Sequence, residues 1–332
     1  MSDTSPPPEE IARLRKAATA LALTIGVIML GMKVGAWAVT HSVSVLSALM
    51  DSVLDSIMAV VNFLAVRKAL MPADRFHRFG FGKFEPLASL AQSAFIIGVA
   101  VVIAFEAVDR FIHPHPVANA ELGIAAIAGV LVLMIGLALY QQHVIRLTGS
   151  IVVRADSLHI KADVMMHLGV ILSLLLSSFG SITWADSAIA LFIAAFLAWN
   201  GKGIFTESMG ILLDRELSDD ERHKIRDIAL SHPDIYGVHD LRTRSSGDQI
   251  FIQLHVEMKP DTPLSDAHQF VEEAIDCILE EYPNAEVQVH EEPVGMPRHR
   301  SWCRRAGLQP VAGEYGEKIP QRGADQTEET IE

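Results

Sequence analysis

Two pairs of polar residues lie at helical spacing inside apolar stretches of the sequence. Asp51 and Asp55 are four residues apart in one stretch, and His159 and Asp163 repeat that spacing in another. Residues four apart share one face of a helix, so the two side chains of each pair point the same way. A charged side chain in a membrane-spanning segment costs at least a few kcal/mol, which makes these residues candidates for a functional site.

The two pairs overlap in depth if their stretches cross a membrane in opposite directions. Asp51 and Asp55 then lie ~13 and ~20 Å from the outer surface, at a rise of ~1.5 Å per residue. His159 and Asp163 lie ~16 and ~10 Å from the same surface. Neither aspartate of the first pair has a Lys or Arg within its own stretch. The two pairs can therefore converge on one site near the middle of the bilayer.

The ligand set of such a site consists of three carboxylates and one imidazole. It suits a divalent transition metal in tetrahedral geometry, zinc first, with cadmium, iron, cobalt and manganese as alternatives. Without metal, carboxylates gathered in a low dielectric repel one another and hold protons, so the site predicts exchange of metal for protons. The alternative is that the acids pair with Lys161 or bind polar waters.

Six apolar stretches are long enough to cross ~30 Å of hydrocarbon as helices. They comprise residues 17–39, 42–66, 86–111, 120–144, 151–178 and 184–205. Lys and Arg accumulate before the first stretch, in every second connection and after the sixth, whereas the other connections hold Arg110 alone. The sequence therefore predicts a polytopic α-helical membrane protein of six transmembrane helices, with both termini in the cytoplasm.

The negative charge of the chain is concentrated after the sixth stretch. Residues 1–206 contain 14 Lys and Arg against 13 Asp and Glu, whereas residues 207–332 contain 13 against 27. Such an acidic segment argues against a nucleic-acid partner, whose phosphates it would repel. The two cysteines cannot form a disulfide framework, which fits a reducing compartment.

A small α+β domain is predicted after the sixth stretch. Ser218 followed by Glu221 resembles a capping box that opens a helix. Residues 238–244 and 249–257 alternate around a Ser-Ser-Gly-Asp turn and predict a β-hairpin. A helix from Thr262 to about Glu281 and a strand at 285–290 follow. The predicted divisions are a cytoplasmic tail at 1–12, the membrane domain at 13–206, a cytoplasmic domain at 207–294 and a disordered tail at 295–332.

The Asp-x-x-x-Asp and His-x-x-x-Asp motifs, together with the cytoplasmic domain, resemble the cation diffusion facilitator family. The resemblance covers residues 10–294, includes residues 80–86 and 239–244, and is closest to the bacterial zinc and ferrous-iron efflux branch. It implies a homodimer in the bacterial inner membrane with a ferredoxin-like or metallochaperone-like cytoplasmic domain. It also implies that the dimer alternates between inward-facing and outward-facing states, exporting metal and taking in protons.

The resemblance also implies roles for residues outside the membrane. In the related branch an aspartate and two histidines after the second span bind metal. Asp74 and His77 match two of them, but Phe81 stands in place of the second histidine, so this site is weakened or absent. Lys83 and Asp214 occupy the positions of a salt bridge between subunits. A binuclear zinc site near the dimer interface is implied for the following residues: His239, His255, His268, His290 and Glu292.

Two other classes of function stay open. A membrane-anchored metal sensor could signal through the cytoplasmic histidines, but it would not need matched carboxylates inside the membrane. A membrane hydrolase with an aspartyl dyad would need a scissile site accessible to water, and an imidazole among the carboxylates disfavours it. The sequence therefore predicts a transporter that exports a divalent metal, and not an enzyme.

Overall fold

The computed structural model of the chain describes residues 7–40, 43–112, 120–179 and 185–295. Its contacts divide the chain into two compact units that meet between residues 213 and 214. The first unit contains six long helices: α1 (Pro8–Thr40), α2 (Val43–Ala69), α3 (Phe84–Ile112), α4 (Ala120–Thr148), α5 (Ile151–Phe179) and α6 (Ala185–Leu212). The second unit contains two shorter helices and a three-stranded sheet. The predicted disordered tail, apart from residue 295, lies outside the described residues.

Four of the long helices contain, within the described residues, a stretch long and apolar enough to cross a membrane. These stretches are Glu9–Val39, Phe84–Asp109, Leu131–Thr148 and Ser187–Leu212. The other two helices, α2 and α5, carry the charged pairs and have 27 and 29 residues. At ~1.5 Å per residue they are also long enough for a hydrocarbon layer of ~30 Å. Six spans therefore stay a prediction, and four are supported by composition.

The helix α5 is buried on several sides over its first half, which fixes the position of its polar residues. One face packs with α3 and α6 through Ile151, Ala155, Leu158 and Ala162. Val152 and Val153 pack on another side with residues of α1, α2, α3 and α4. Gly201 lets α6 approach α3 closely, since an added Cβ would lie 3.1 Å from Ile97 Cγ1.

A buried ion pair ties three of these helices together near the start of α5. Arg15 Nη1 of α1 lies 3.3 Å from Glu85 Oε1 of α3, and the two side chains are only 5% and 4% exposed. Arg15 Nη2 donates to Thr148 O at the end of α4 at 2.7 Å. Ser150 Oγ donates to Glu85 Oε2 at 3.1 Å, so the connection between α4 and α5 is held as well.

The second unit begins with α7 (Asp219–Leu230) and continues through β1 (Gly237–Ser246), β2 (Gln249–Met258), α8 (Leu264–Glu281) and β3 (Ala285–Pro293). The predicted capping box is confirmed, because Ser218 Oγ accepts from Glu221 N while the Glu221 carboxylate accepts from Ser218 N. The predicted hairpin is also confirmed, with β1 antiparallel to β2. The third strand pairs in parallel with β2, and the core between sheet and helices includes Ile252 and Ile278.

We expect Arg15→Ala to destabilise the protein, because it leaves the Glu85 carboxylate buried without its cation. Breaking a buried pair in this way typically costs ~3–5 kcal/mol. The melting temperature of the purified protein in detergent measures the loss, and the double variant Arg15→Met/Glu85→Met should recover much of it.

The matched control is Glu207→Ala, which removes an ion pair with Arg154 whose side chains are 48% and 40% exposed. Exposed pairs contribute ~0–1 kcal/mol, so this variant should melt close to the wild type. Equal melting temperatures for Arg15→Ala and the control would contradict a stabilising role of the buried pair.

Candidate functional site

Three of the four predicted membrane ligands lie together between α2 and α5. His159 Nε2 lies 2.9 Å from Asp55 Oδ1 and 3.7 Å from Asp163 Oδ2. One ligand atom of each residue lies within 4.8 Å of those of the other two. His159 and Asp163 are one helical turn apart on α5, so both face α2. The cluster can bind one cation with two carboxylates and an imidazole.

The fourth predicted ligand is Asp51, one helical turn before Asp55 in α2. Residues four apart lie on the same side of a helix, so the backbone of Asp51 is on the side of α2 that carries Asp55. The side chain of Asp51 lies outside the described part of the structure. Its role as a ligand therefore stays a prediction.

A cavity of about 60 Å³ adjoins the cluster. Its wall includes Asp55, His159 and Asp163 together with Ser52 of α2 and apolar residues of α1 and α4. A single water needs only ~10–15 Å³ by this kind of measure, so a cation and a few waters fit. Two carboxylates in such a partly buried space repel each other unless a cation or protons neutralise them. The geometry therefore favours a bound positive charge.

Two lysines of the first unit lie near this site, but they contact different helices. Lys33 of α1 donates a hydrogen bond to Ser52 Oγ, which lines the cavity. The sequence left open that Lys161 pairs with the acids. In the structure, Lys161 Nζ instead donates to Gln142 Oε1 of α4 at 2.7 Å. Sequence reasoning missed Lys33, although a single lysine inside the first apolar stretch was a signal that could have revealed it. The basic group beside the site therefore comes from another helix.

A second buried carboxylate lies one turn from His159 toward the start of α5. Asp156 is 5% exposed and accepts from Gln141 Nε2 at 2.6 Å and from Asn62 Nδ2 at 3.2 Å. Asn62 Nδ2 also donates to Gln92 Oε1 of α3. Four helices thus contribute one polar side chain each to a layer next to the cluster. Hydrogen bonds from neutral amides satisfy Asp156 without a cation.

A second cluster of potential ligands lies on the sheet of the other unit. His239 of β1, His255 of β2 and Glu292 of β3 each place a ligand atom within 4.8 Å of the others. Glu292 Oε2 lies 3.2 Å from His239 Nε2, and Glu292 Oε1 lies 3.0 Å from His255 Nδ1. Two imidazoles and a carboxylate are a typical donor set for zinc. These three predicted residues can therefore hold a metal ion.

The register of the sheet explains this convergence. His239 is opposite His255, and His255 is opposite His290, so three histidines stand side by side. The His255 and His290 rings are 4.7 Å apart, while His290 Nε2 is 3.8 Å from Glu292 Oε1 at the exposed rim of the cluster. His268 is exposed on α8 and is not part of the three-ligand group.

Glu257 is a member of this cluster that sequence reasoning missed. Its Oε1 lies 3.2 Å from His239 Nδ1, and it follows His255 by two residues, the spacing that returns a strand to the same face. Gly237 opposite Glu257 leaves room for this side chain, because an added Cβ would lie 2.8 Å from Glu257 Oε2. The period of two along β2 was the signal that could have identified it.

The histidines also favour the ionised form of Glu292. Partial burial disfavours the charged carboxylate, but the hydrogen bond from His255 and the charges of His239, His255 and His290 outweigh it. Together they lower the pKa of Glu292 below its ordinary value of 4.5. A carboxylate kept ionised beside imidazoles is ready to bind a cation.

In the loop between α2 and α3, three positions correspond to metal ligands of the related branch, and two of them, Asp74 and His77, lie close together. Asp74 Oδ1 lies 3.1 Å from His77 Nδ1, and it accepts from the backbone N–H groups of His77 and Phe76 at 2.7 and 2.8 Å. These backbone hydrogen bonds hold the pKa of Asp74 below its ordinary value. Phe81 is 5% exposed and packs against His77 with the two rings tilted, and Lys68 Nζ lies 3.9 Å from the Phe81 ring centroid. Local turn geometry thus accounts for Asp74 without a metal.

Lys83 and Asp214 each have a contact within their own unit. Lys83 Nζ donates to Leu212 O at 3.4 Å, and Arg244 Nη1 donates to Asp214 Oδ1 at 3.3 Å. A salt bridge between subunits concerns a second chain, so this pairing stays a prediction.

Comparisons with known proteins agree across both units. The model of the cation efflux transmembrane domain matches residues 19–213, and that of the cation efflux protein cytoplasmic domain matches residues 217–294. The chain is 40% identical over 279 residues to a Shewanella oneidensis protein named cation-efflux pump FieF, covering 84% of this chain and 93% of that one. The Cronobacter sakazakii protein of that name is 40% identical over 287 residues, covering 86% of this chain and 95% of that one.

Among solved structures, the chain is similar to the zinc form of CzrB. The match has 28% identity and a TM-score of 0.24, and it covers 26% of this chain and 98% of that one.

We expect the metal-free protein to lose the stabilisation from Glu292 as the pH falls. The pKa of folded Glu292 is below its ordinary value of 4.5, so the ionised group favours the folded state above that value. The contribution disappears as the pH falls through the folded pKa. Urea unfolding of EDTA-treated protein should therefore show a larger gap between wild type and Glu292→Gln at about pH 6 than at about pH 4.

Glu291→Gln is the matched control, since Glu291 is the exposed neighbour on the same strand. Its difference from the wild type should be small at both pH values. A gap for Glu292→Gln that does not change with pH would contradict the stabilisation by the histidines.

Proposed function

The chain belongs to the cation efflux family, and from that premise we propose that it exports a divalent metal ion across the bacterial inner membrane in exchange for protons. The relatives are named pumps, which confirms that the chain is a transporter and not an enzyme. The observation that carries the proposal is the cluster of Asp55, His159 and Asp163 between α2 and α5. In a transporter, such a cluster holds the cargo.

The proposed transport site consists of Asp51, Asp55, His159 and Asp163. Zinc is the first candidate for the cargo, because it accepts mixed imidazole and carboxylate ligands in a tetrahedral arrangement. Cadmium and ferrous iron are alternatives that accept related ligands. The 2.9 Å separation of His159 Nε2 and Asp55 Oδ1 supports a common ion, since both atoms can turn toward one centre.

Proton exchange follows from the chemistry of these ligands. Carboxylates and imidazole bind metal only when deprotonated, so binding of the metal releases protons and protonation releases the metal. In the proposed cycle, the deprotonated ligands take metal from the cytoplasm and the helices reorient. Protons from the outer side then occupy the ligands and displace the ion.

The proposed topology has six spans and both termini in the cytoplasm. The clustering of Lys and Arg in alternate connections supports this orientation. The protein acts as a homodimer, in which Lys83 and Asp214 form a salt bridge between subunits. The domains are those proposed above, with the membrane domain at 13–206 and the cytoplasmic domain at 207–294.

The cytoplasmic domain is proposed to bind regulatory zinc. His239, His255 and Glu292 would hold the ion, with His290 at the rim and His268 supplied from α8. The bound ion would supply positive charge that offsets the carboxylates of Glu257 and Glu292. In the dimer, this neutralisation favours closure of the two cytoplasmic domains. The loop residues Asp74 and His77 are proposed to form at most a weak site, because Phe81 offers no ligand.

We expect Asp55→Ala to reduce zinc transport by at least ~10-fold, because it removes a carboxylate that must neutralise the ion. Zinc uptake into proteoliposomes under an imposed proton gradient measures the effect. Asp109→Ala is the matched control, since Asp109 is an exposed carboxylate near the end of α3 and should be dispensable. Undiminished transport by Asp55→Ala would overturn the assignment of the transport site.

We expect His159→Asp to change the preference among metals. Replacing the imidazole by a carboxylate leaves an all-oxygen site, which favours manganese relative to zinc. Calorimetric titration of zinc, cadmium, ferrous iron and manganese against wild type and variant measures the ratio of affinities. His143→Asp is the control, because His143 is exposed on α4 and outside the ligand cluster. An unchanged ratio in His159→Asp would exclude His159 as a ligand.

A further inference from the structure

We propose that a cavity between α4, α5 and α6 binds the phosphate of an anionic lipid headgroup. The cavity has a volume of about 400 Å³. Its polar wall consists of Gln142, Arg154, Lys161, Trp199, Asn200 and Glu207. The volume is within the ~300–1,000 Å³ that is typical of sites for small ligands. The inference rests on the proposed function in one respect, the orientation of the chain in the membrane. That orientation places the end of α4, the start of α5 and the end of α6 at the cytoplasmic leaflet.

The charges of the wall favour an anion. Arg154 Nη2 pairs with Glu207 Oε2, so these two charges compensate each other. Lys161 Nζ donates to the neutral amide oxygen of Gln142, which leaves one positive charge in excess among the lining residues. An uncompensated cation among membrane helices is costly, and an anionic group beside it would remove that cost. One phosphodiester supplies the required single negative charge.

The depth of the two cations matches a headgroup that enters from one leaflet. Arg154 is three residues into α5, or ~5 Å from its start, whereas Lys161 is ten residues in, or ~15 Å. Gln142 is only six residues from the end of α4, or ~9 Å. The hydrogen bond to Gln142 therefore shows that the Lys161 side chain bends back toward the ends of the helices. Arg154 thus lies near the level of the lipid phosphates, and the Lys161 side chain extends from mid-membrane toward that level.

The cavity is open on a side suited to lipid. Trp199 is 79% exposed at its edge and lies thirteen residues, or ~20 Å, before the end of α6, at the depth of the lipid chains. Basic pockets between membrane helices near the cytoplasmic side are a recognised way of binding anionic headgroups. The wall offers both parts of such a site, a polar interior and an aromatic edge. A soluble phosphate shares this chemistry, and the experiment below distinguishes the two sources.

A lipid at this position would contact the back of the metal-binding helix. Lys161 lies between His159 and Asp163 in the sequence of α5, yet its side chain contacts α4. The lipid would therefore hold α5 from the side opposite the metal cluster. Its binding can position the helix without supplying a ligand to the metal.

Fluorescence of Trp199 in the full-length protein tests the proposal. Trp37, Trp184 and Trp302 are replaced by Phe, and the protein is reconstituted in phosphatidylcholine vesicles that contain increasing amounts of phosphatidylglycerol with brominated chains. We expect quenching to saturate at a low fraction of the brominated anionic lipid. Brominated phosphatidylcholine should quench only in proportion to its amount.

Variants of the two cations complete the test. Arg154→Gln/Lys161→Gln should require roughly tenfold more brominated phosphatidylglycerol, because both positive charges are lost. Arg154→Lys/Lys161→Arg keeps the charges and should behave as the wild type, which excludes a folding defect. Arg146→Gln is the matched control, since Arg146 is exposed near the end of α4 outside the cavity.

Three results would overturn the proposal. They are equal quenching by both brominated lipids, an unchanged curve for the double Gln variant, and displacement of the lipid signal by millimolar inorganic phosphate, which would identify a soluble anion as the ligand. Zinc uptake measured in the same vesicles is independent of quenching. Loss of transport with intact quenching would refute the proposed function and leave the lipid site supported. Loss of quenching with intact transport would refute the lipid site and leave the proposed function supported.

Discussion

The cost of keeping charged side chains among membrane helices determines how the six-helix unit is arranged. Asp55 and Asp163 meet His159 in a small cavity that can hold a cation. Asp156, one turn away, is instead surrounded by amide donors and needs none. Two carboxylates of the same helix thus receive different partners. The proposed transport site uses the first arrangement, in which an exchangeable cation or protons supply the positive charge.

The helix α5 carries its metal-binding residues and its lysine on different faces. One face presents His159 and Asp163 to α2, whereas Lys161 is directed to Gln142 on α4. If Lys161 pointed toward the acids, it would compete with the metal as a permanent counterion. Lys33, on another helix, contacts Ser52 at the edge of the cavity. A counterion on a different helix allows the charge at the site to depend on how the helices are placed.

The sequence predicted those features that a regular period encodes. Spacing of four predicted the pair on α5, whereas His239, His255 and Glu292 were implied by the family resemblance and are brought together by the register of three strands. The side chain of Asp51 lies outside the described residues, so that ligand is untested. The lysine in the first apolar stretch marked Lys33 as unusual. The partners of Lys33, Gln92 and Gln141 could not be assigned in advance, because a single polar residue in an apolar helix has no period that fixes its partner. The period of two along β2 places Glu257 on the face of His255, but its position beside His239 depends on strand register, which the sequence leaves open.

The two ligand clusters use similar chemistry in different surroundings, and the difference suits their proposed roles. Each combines imidazole with carboxylate, and each places three ligand atoms within 4.8 Å of one another. In the membrane cluster, the ligands belong to two separate helices, so a movement of α2 relative to α5 changes their spacing and can release the ion. On the sheet, the exposed side chain of His290 leaves one side accessible to water, so a metal ion can equilibrate with the cytoplasm. A site that equilibrates follows the concentration of metal, whereas a site whose ligands separate when helices move can, in the proposed role, carry metal against it.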